Sequence, residues 1–193
     1  MTRLTEIQVA EGLLAGARAG DPGAQEQLYT LLAPGVFALI RRIVGVRAVA
    51  EDVFQDTMIM VFEKLDCYRQ EAPLGAWAGQ IALSRSLMFL RSPWHRARLS
   101  FGSHTDAEAL LGPASLFVPG PDAASFDVER ALATLSPTAR AVVWLYEVEG
   151  WSHEEIARSF GRTVSFSKSQ LARAHARLRA WFELEAPHTC APT

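Results

Sequence analysis

Apolar residues recur along this chain every three to four positions, and alternation at strand spacing is nearly absent. That period gathers greasy side chains on one face of a helix, so the chain is restricted to packing helix against helix. Thr5 to Arg18 is expected to form a first helix, ended by Gly20. Asp21-Pro22 then supplies a cap and a first-turn proline for a second, running through Leu28, Leu31, Leu32, Val36, Leu39 and Ile43 until Gly45. A third, from about Arg47 to Leu65, places Val49, Val53, Phe54, Met58, Met60 and Val61 on a broad apolar face. After the loop from Asp66 to Ala72, Pro73 opens a fourth that carries Leu74, Trp77, Ile81, Leu87 and Leu90 and stops near Ser92-Pro93.

From roughly Ser100 to Ser125 the period disappears, and Gly102, Gly112, Pro113, Pro119, Gly120 and Pro121 leave little room for regular structure. Periodicity resumes at Phe126 and continues to Leu184. The expected architecture is all-α, with two small helical domains: an N-terminal bundle over 1–98, an irregular linker over 99–125, a C-terminal unit over 126–185 and a tail over 186–193. A chain of 193 residues can build two such cores but leaves little material for a sizeable enzyme cavity. The apolar runs Ala109 to Leu111 and Leu116 to Val118 fit either a linker lying on a partner or a simple surface loop.

Charge is nearly balanced overall, at −2, which weighs against a surface given over entirely to nucleic acid. Its distribution is uneven. Glu51, Asp52, Asp56, Glu63, Asp66 and Glu71 precede an acid-free stretch from Ala72 to Thr105 that holds Arg85, Arg91, Arg96 and Arg98. A second acid-free stretch, Ile156 to Phe182, carries Arg158, Arg162, Lys168, Arg173, Arg177 and Arg179. Cys67 and Cys190 are poor material for a disulfide framework, and a reducing, cytoplasmic setting is expected. MTRLTEIQVAEG has no sustained apolar core and is not read as a secretory signal. Leu31 to Val46, interrupted by Pro34, Arg41 and Arg42, is read as too short to cross a bilayer, so no membrane insertion is expected.

The C-terminal unit has internal punctuation. Ser136-Pro137 is a cap and a first-turn proline for a helix through Val142, Val143, Leu145 and Tyr146 that Gly150 closes. Ser152-His153-Glu154-Glu155 reads as a capping box opening a short helix with Ile156, Ala157 and Phe160, and Gly161 ends it. A long basic helix follows from about Ser165 through Leu171, Ala174, Leu178 and Phe182. Short helix, glycine turn and long basic helix is helix-turn-helix geometry, whose second helix presents its first residues to base edges while flanking cations hold phosphates. Ser165, Phe166, Ser167, Lys168, Ser169 and Gln170 occupy that leading position, with Phe166 able to pack on a thymine methyl and Gln170 to pair with adenine. Arg173, Arg177 and Arg179 are placed for phosphates, with Arg158 and Arg162 on the supporting helix and turn; a solvated basic face is the competing reading. No phosphate-binding glycine loop, nucleophile elbow or metalloprotease helix is present, and no catalytic residue is assigned.

Ala131-Leu132-Ala133-Thr134-Leu135-Ser136-Pro137, Gly150-Trp151-Ser152-His153-Glu154-Glu155-Ile156-Ala157 and Lys168-Ser169-Gln170-Leu171-Ala172-Arg173-Ala174 together resemble region 4 of extracytoplasmic-function sigma factors of bacterial RNA polymerase. Ala50-Glu51-Asp52-Val53-Phe54-Gln55-Asp56 with Val61-Phe62 resembles region 2.2 of the same family, and Pro73-Leu74-Gly75-Ala76-Trp77 with Ile81-Ala82 and Arg91 resembles regions 2.3 and 2.4. The resemblance implies that 1–98 is region 2, binding core polymerase and the minus-10 element, and 126–185 is region 4, reading the minus-35 element. It carries polymerase binding, on the beta-prime clamp helices, onto Asp52, Gln55, Asp56 and Phe62, whose acidic helix would otherwise be read as a solubilising surface. It makes the beta flap, promoter DNA and an anti-sigma factor the remaining expected partners. Melting of the minus-10 element needs an aromatic or a pocket for a flipped base and cations for the strand. Tyr68, expected to be exposed in its loop, and Trp77, in phase with the core, are the available aromatics; Ser84, Arg85, Arg91, Arg96 and Arg98 complete that set.

The sequence departs from the family's pattern in two places. Ser84 and Met88 stand where an asparagine and an aspartate are common, and Ser165-Phe166-Ser167-Lys168-Ser169-Gln170 replaces a run that commonly ends in arginine. The competing functions are a helix-turn-helix transcription factor that binds DNA without polymerase, and an enzyme or ligand sensor with an attached DNA-binding unit. No cofactor or metal is expected: His188 and Cys190 are two ligands, too few to close a zinc site, and Cys67 reads as an ordinary loop thiol.

Overall fold

The computed structural model describes residues 3–92, 128 and 130–185. The expected linker, Arg96, Arg98 and the tail with His188 and Cys190 lie outside the described residues. Every regular element among the described residues is helical. In the N-terminal unit a 3-10 turn at Leu4–Glu6 precedes α1 (Glu11–Arg18), α2 (Pro22–Val44), α3 (Arg47–Glu63), a second 3-10 turn at Leu65–Cys67 and α4 (Leu74–Arg91). The C-terminal unit holds a helical stretch at 130–133, then α5 (Pro137–Val143), a π-helical turn at Trp144–Val148, α6 (His153–Phe160) and α7 (Val164–Glu185).

The caps fall where the side chains require them. Asp21 accepts the Ala24 amide at 2.8 Å with Pro22 opening α2, and Ser136 Oγ accepts the Ala139 amide at 3.2 Å with Pro137 opening α5. At α6, Ser152 Oγ accepts the Glu155 amide at 3.2 Å while Ser152 N donates to Glu155 Oε2 at 2.8 Å, completing the reciprocal box. Gly161 then takes φ 61°, left-handed backbone that a Cβ would disfavour, and turns the chain into α7.

α2 is the central helix, against which α1, α3, α4 and α5 all pack. Its 23 residues extend well before the apolar stretch from Leu31 and are, by length and composition alone, enough to cross a membrane. Leu28, Leu32, Val36, Leu39, Ile40 and Ile43 are instead fully buried among the neighbouring helices. The helix runs through Pro34 because Pro34 and Thr30, whose carbonyl loses its partner, both face solvent.

The first helix is shorter than its periodicity predicts, and the segment before it does something else. Residues 7–10 are not helical. Ile7 O accepts the Gly75 amide at 3.2 Å, hooking the chain onto the start of α4, and the hook fits only because position 75 has no side chain: a Cβ there would lie 2.2 Å from Leu4 O. Leu4, 1% exposed, inserts between Gly35 of α2 and Gly79 of α4. Burial of a leucine of this kind contributes on the order of 1.5–3 kcal/mol.

The two units do not stand apart in this structure. One continuous hydrophobic core runs from Leu4 through α2 and α4 into Val142, Trp144, Leu145, Trp151 and Ile156. α5 lies on α2 and α6 on α4. The π turn draws Glu149 back under this junction through its amide bond to Trp144 O at 3.1 Å.

Candidate nucleic-acid interface

Thr163, which sequence reasoning passed over, sets the register of the long basic helix. Its Oγ1 accepts the Phe166 amide at 3.3 Å, so α7 begins at Val164. Ser165, Lys168, Ser169 and Arg173 are then exposed at helical spacing together with Ala172 and Ala176, forming one outward stripe. The two alanines were also missed; their small side chains keep this stripe low. Arg162 and Arg177 are exposed and Gln170 is half-buried at the stripe's flank.

Two predicted base-facing residues are placed elsewhere. Ser167 is fully buried and shares a 3.0 Å hydrogen bond with His153 Nδ1, and Phe166 packs its ring 5.8 Å from Phe160. Ser167 turns inward with Leu171 and Ala174, so it holds α7 against α6 rather than meeting bases, while Phe166 is half-buried with its ring packed on the core. His153 is itself stacked on Tyr146 at 4.6 Å, and His175 Nε2 lies 3.0 Å from Glu147 Oε1. The π turn and α6 thus grip the first half of α7 from behind.

In the N-terminal unit Asp52, Gln55 and Asp56 lie exposed on α3, and Glu63 continues the strip. Ile59 sits within it at 58% exposure, an unexpected apolar centre to an acidic face, recognisable only once the helix register is known. Phe62 is half-buried against the core at its edge. Arg85 Nη2 donates to Asp56 Oδ2 at 2.8 Å, tying a residue assigned to DNA to one assigned to polymerase.

Trp77, Ser84 and Arg85 line a shallow pocket of about 180 Å³ between α3 and α4, with Met60, Lys64, Gln80 and Ile81. Met88, 54% exposed, and exposed Arg91 continue this face of α4. Tyr68 does not join it as an exposed aromatic. Its ring is buried 5.3 Å from Trp77, its hydroxyl donates to Ala72 O at 2.6 Å, and Arg18 Nη2 donates to its carbonyl. Burial pushes the phenol up, against the opposing charge of Arg18. The loop is closed by these bonds, so Tyr68 supports Trp77 from beneath. Among the described residues no group of His, Cys, Asp and Glu is arranged to hold a metal.

The capped short helix, the left-handed glycine turn and the long basic helix form a helix-turn-helix, joined to a second helical unit with an acidic face. Residues 28–96 match the family model for sigma-70 region 2, and residues 125–178 match that for sigma-70 region 4. The chain is 30% identical over 166 residues to the RNA polymerase sigma factor CarQ of Myxococcus xanthus, covering 84% of this chain and 91% of that protein. It is 30% identical over 171 residues to the ECF RNA polymerase sigma factor SigM of Mycobacterium tuberculosis, covering 86% and 81%. The sigma factor RpoE of Bartonella quintana, solved in complex with the anti-sigma factor NepR, shares the fold with a TM-score of 0.64 at 24% identity, over 82% of this chain and 96% of that one. The chain belongs to the extracytoplasmic-function sigma factors of the sigma-70 family, which direct promoter-specific transcription by RNA polymerase.

Proposed function

We propose that this sigma factor divides its task between the two faces described above. The acidic strip of α3, with Asp52, Gln55 and Asp56 around Ile59 and Phe62 at its edge, docks on the beta-prime clamp helices of core polymerase. The pocket flanked by Trp77, Ser84 and Arg85 receives an unstacked base of the minus-10 element, and Arg91 steadies the strand. Lys168 and Ser169 face bases of the minus-35 element, with Ser165 leading and Arg162, Arg173 and Arg177 on phosphates. Gln170 contacts the groove wall from the flank. The C-terminal unit meets the beta flap, the protein works in the cytoplasm without catalysing a reaction, and an anti-sigma factor restrains it, as NepR is bound to the Bartonella neighbour.

The observation that carries this reading is the exposed stripe Ser165, Lys168, Ser169, Ala172, Arg173 and Ala176, with no acid on the helix until Glu183. Purified core polymerase transcribing a randomised promoter library tests it. The protein is expected to confer selective initiation, Lys168→Ala with Arg173→Ala to lower output from the selected minus-35-dependent promoters, and Asp52→Lys to weaken capture of core. Undiminished output or capture removes those residues from the interface. Tight, sequence-specific binding to the same promoters without core would replace the proposal with a polymerase-independent transcription factor.

A further inference from the structure

Residues 3–7 touch both units at once. Leu4 fills the gap between α2 and α4, and Ile7 O is bound by Gly75 N, so the segment is seated in the N-terminal unit. Its polar groups point the other way. Leu4 N donates to Glu149 Oε2 at 2.7 Å, and Thr5 Oγ1 donates to Glu149 O at 2.8 Å. Glu149 Oε1 accepts Trp144 Nε1 at 3.2 Å, which binds the same carboxylate to the C-terminal unit. A few residues therefore bridge the two units across some 145 positions of sequence.

The junction they cross carries a repulsion of its own. Arg42 of α2 stacks over Trp144 at 4.8 Å, and Arg140 of α5 reaches the same region beside Gly45. Burial, then the charges of Arg41 and Arg140, lowers Arg42 to about 10, and burial lowers Arg140 as well. Arg140 Nε is buried with no hydrogen-bond partner. The cation–π stack offsets part of that cost. The like charge of Arg140 beside Arg42 works against the closed seam.

We propose that the segment Arg3–Ile7 is an intramolecular clasp that holds the two units closed through Glu149, and that it must release before the protein can act at a promoter. The second half rests on the proposed reading of both promoter elements. A closed globule of this length has a radius of gyration of roughly 16 Å and a breadth of roughly 40 Å. Elements centred roughly 25 base pairs apart, at about 3.4 Å each, are separated by roughly 85 Å of duplex. The closed form can meet one of them at a time, so the closed population subtracts from the binding-competent one.

The test uses the full-length protein with fluorophores on native Cys67 and on Glu183→Cys, in a Cys190→Ser background, with affinity for core polymerase measured in parallel. Thr5→Val removes one bridging bond without a change of shape, and Glu149→Gln leaves one acceptor for two donors. Both variants are expected to lose energy transfer and to bind core about three- to tenfold more tightly, the range for losing one such bond. Retained helical circular dichroism separates opening from unfolding. A folded Thr5→Val protein with parental energy transfer, or one that opens without binding core more tightly, overturns the clasp. Failure of every form, the parent included, to bind core would sink the promoter reading, while energy transfer still decides the clasp.

Discussion

Glu149 is a carboxylate in a place where carboxylates are costly. Burial raises its pKa above the ordinary value of 4.5; the Leu4 amide, the Trp144 indole and the charge of Arg3 pull it back, and Glu6 adds to the rise. A carboxyl with a raised folded pKa stabilises fully below its unfolded value and loses that contribution as pH climbs through the folded one. The parent is therefore expected to gain stability relative to Glu149→Gln as pH falls from neutrality toward 4.5, read from urea midpoints; parallel pH curves would show that the buried carboxyl is not linked to folding. None of this was readable from the sequence, where Glu149 is one of two acids on either side of Val148 at the end of a helix closed by Gly150. Ser167 was hidden for a related reason: hydrophobic periodicity cannot register a serine that replaces an apolar residue on the inward stripe with Leu171 and Ala174. Tyr68 looked exposed because it lies in a loop, and the bonds from Arg18 and from its own hydroxyl to Ala72 O explain why that loop is closed.

Helices follow their sequence signals closely where those signals are local. The caps at Asp21, Ser136 and Ser152 and the turn at Gly161 were all legible, since each needs only a few neighbouring residues. Replacing Ser152 by Ala removes the acceptor for the Glu155 amide and is expected to cost about 1 kcal/mol. Chemical denaturation followed at the Trp144 and Trp151 fluorescence would report it, and a loss indistinguishable from zero would mean that packing of Ile156 and Phe160 alone fixes the start of α6. Elements set by distant contacts were misjudged. Thr5 to Arg18 has helical spacing throughout, yet residues 7–10 leave the helix because Ile7 O finds the Gly75 amide. The helix before Gly150 likewise ends in a π turn, whose extra residue brings Glu149 to Leu4.

At the scale of the whole molecule, two helical units with offset charge were evident, but their contact was not. Trp144, Trp151 and Leu4 satisfy the apolar pattern of their own segments, so the sequence offers no sign that they also meet across a seam. What the balanced charge does imply is how DNA affinity arises. A protein of net charge −2 gains little from long-range attraction to duplex, and on the proposed reading its grip at the minus-35 element depends on the few cations of α7 and its preceding turn. Each phosphate they neutralise releases counterions and steepens the fall of affinity with salt by roughly 0.9 in the logarithmic slope. For the polymerase complex on a selected promoter, Arg177→Ala is expected to lower that slope by about one and to weaken binding alike at matched and mismatched minus-35 sequences. Lys168→Ala, at the leading end of the stripe, is expected to narrow the difference between matched and mismatched sequences instead. A uniform loss from Lys168→Ala would move it from the bases to the backbone and leave Ser165 and Ser169 to read the groove.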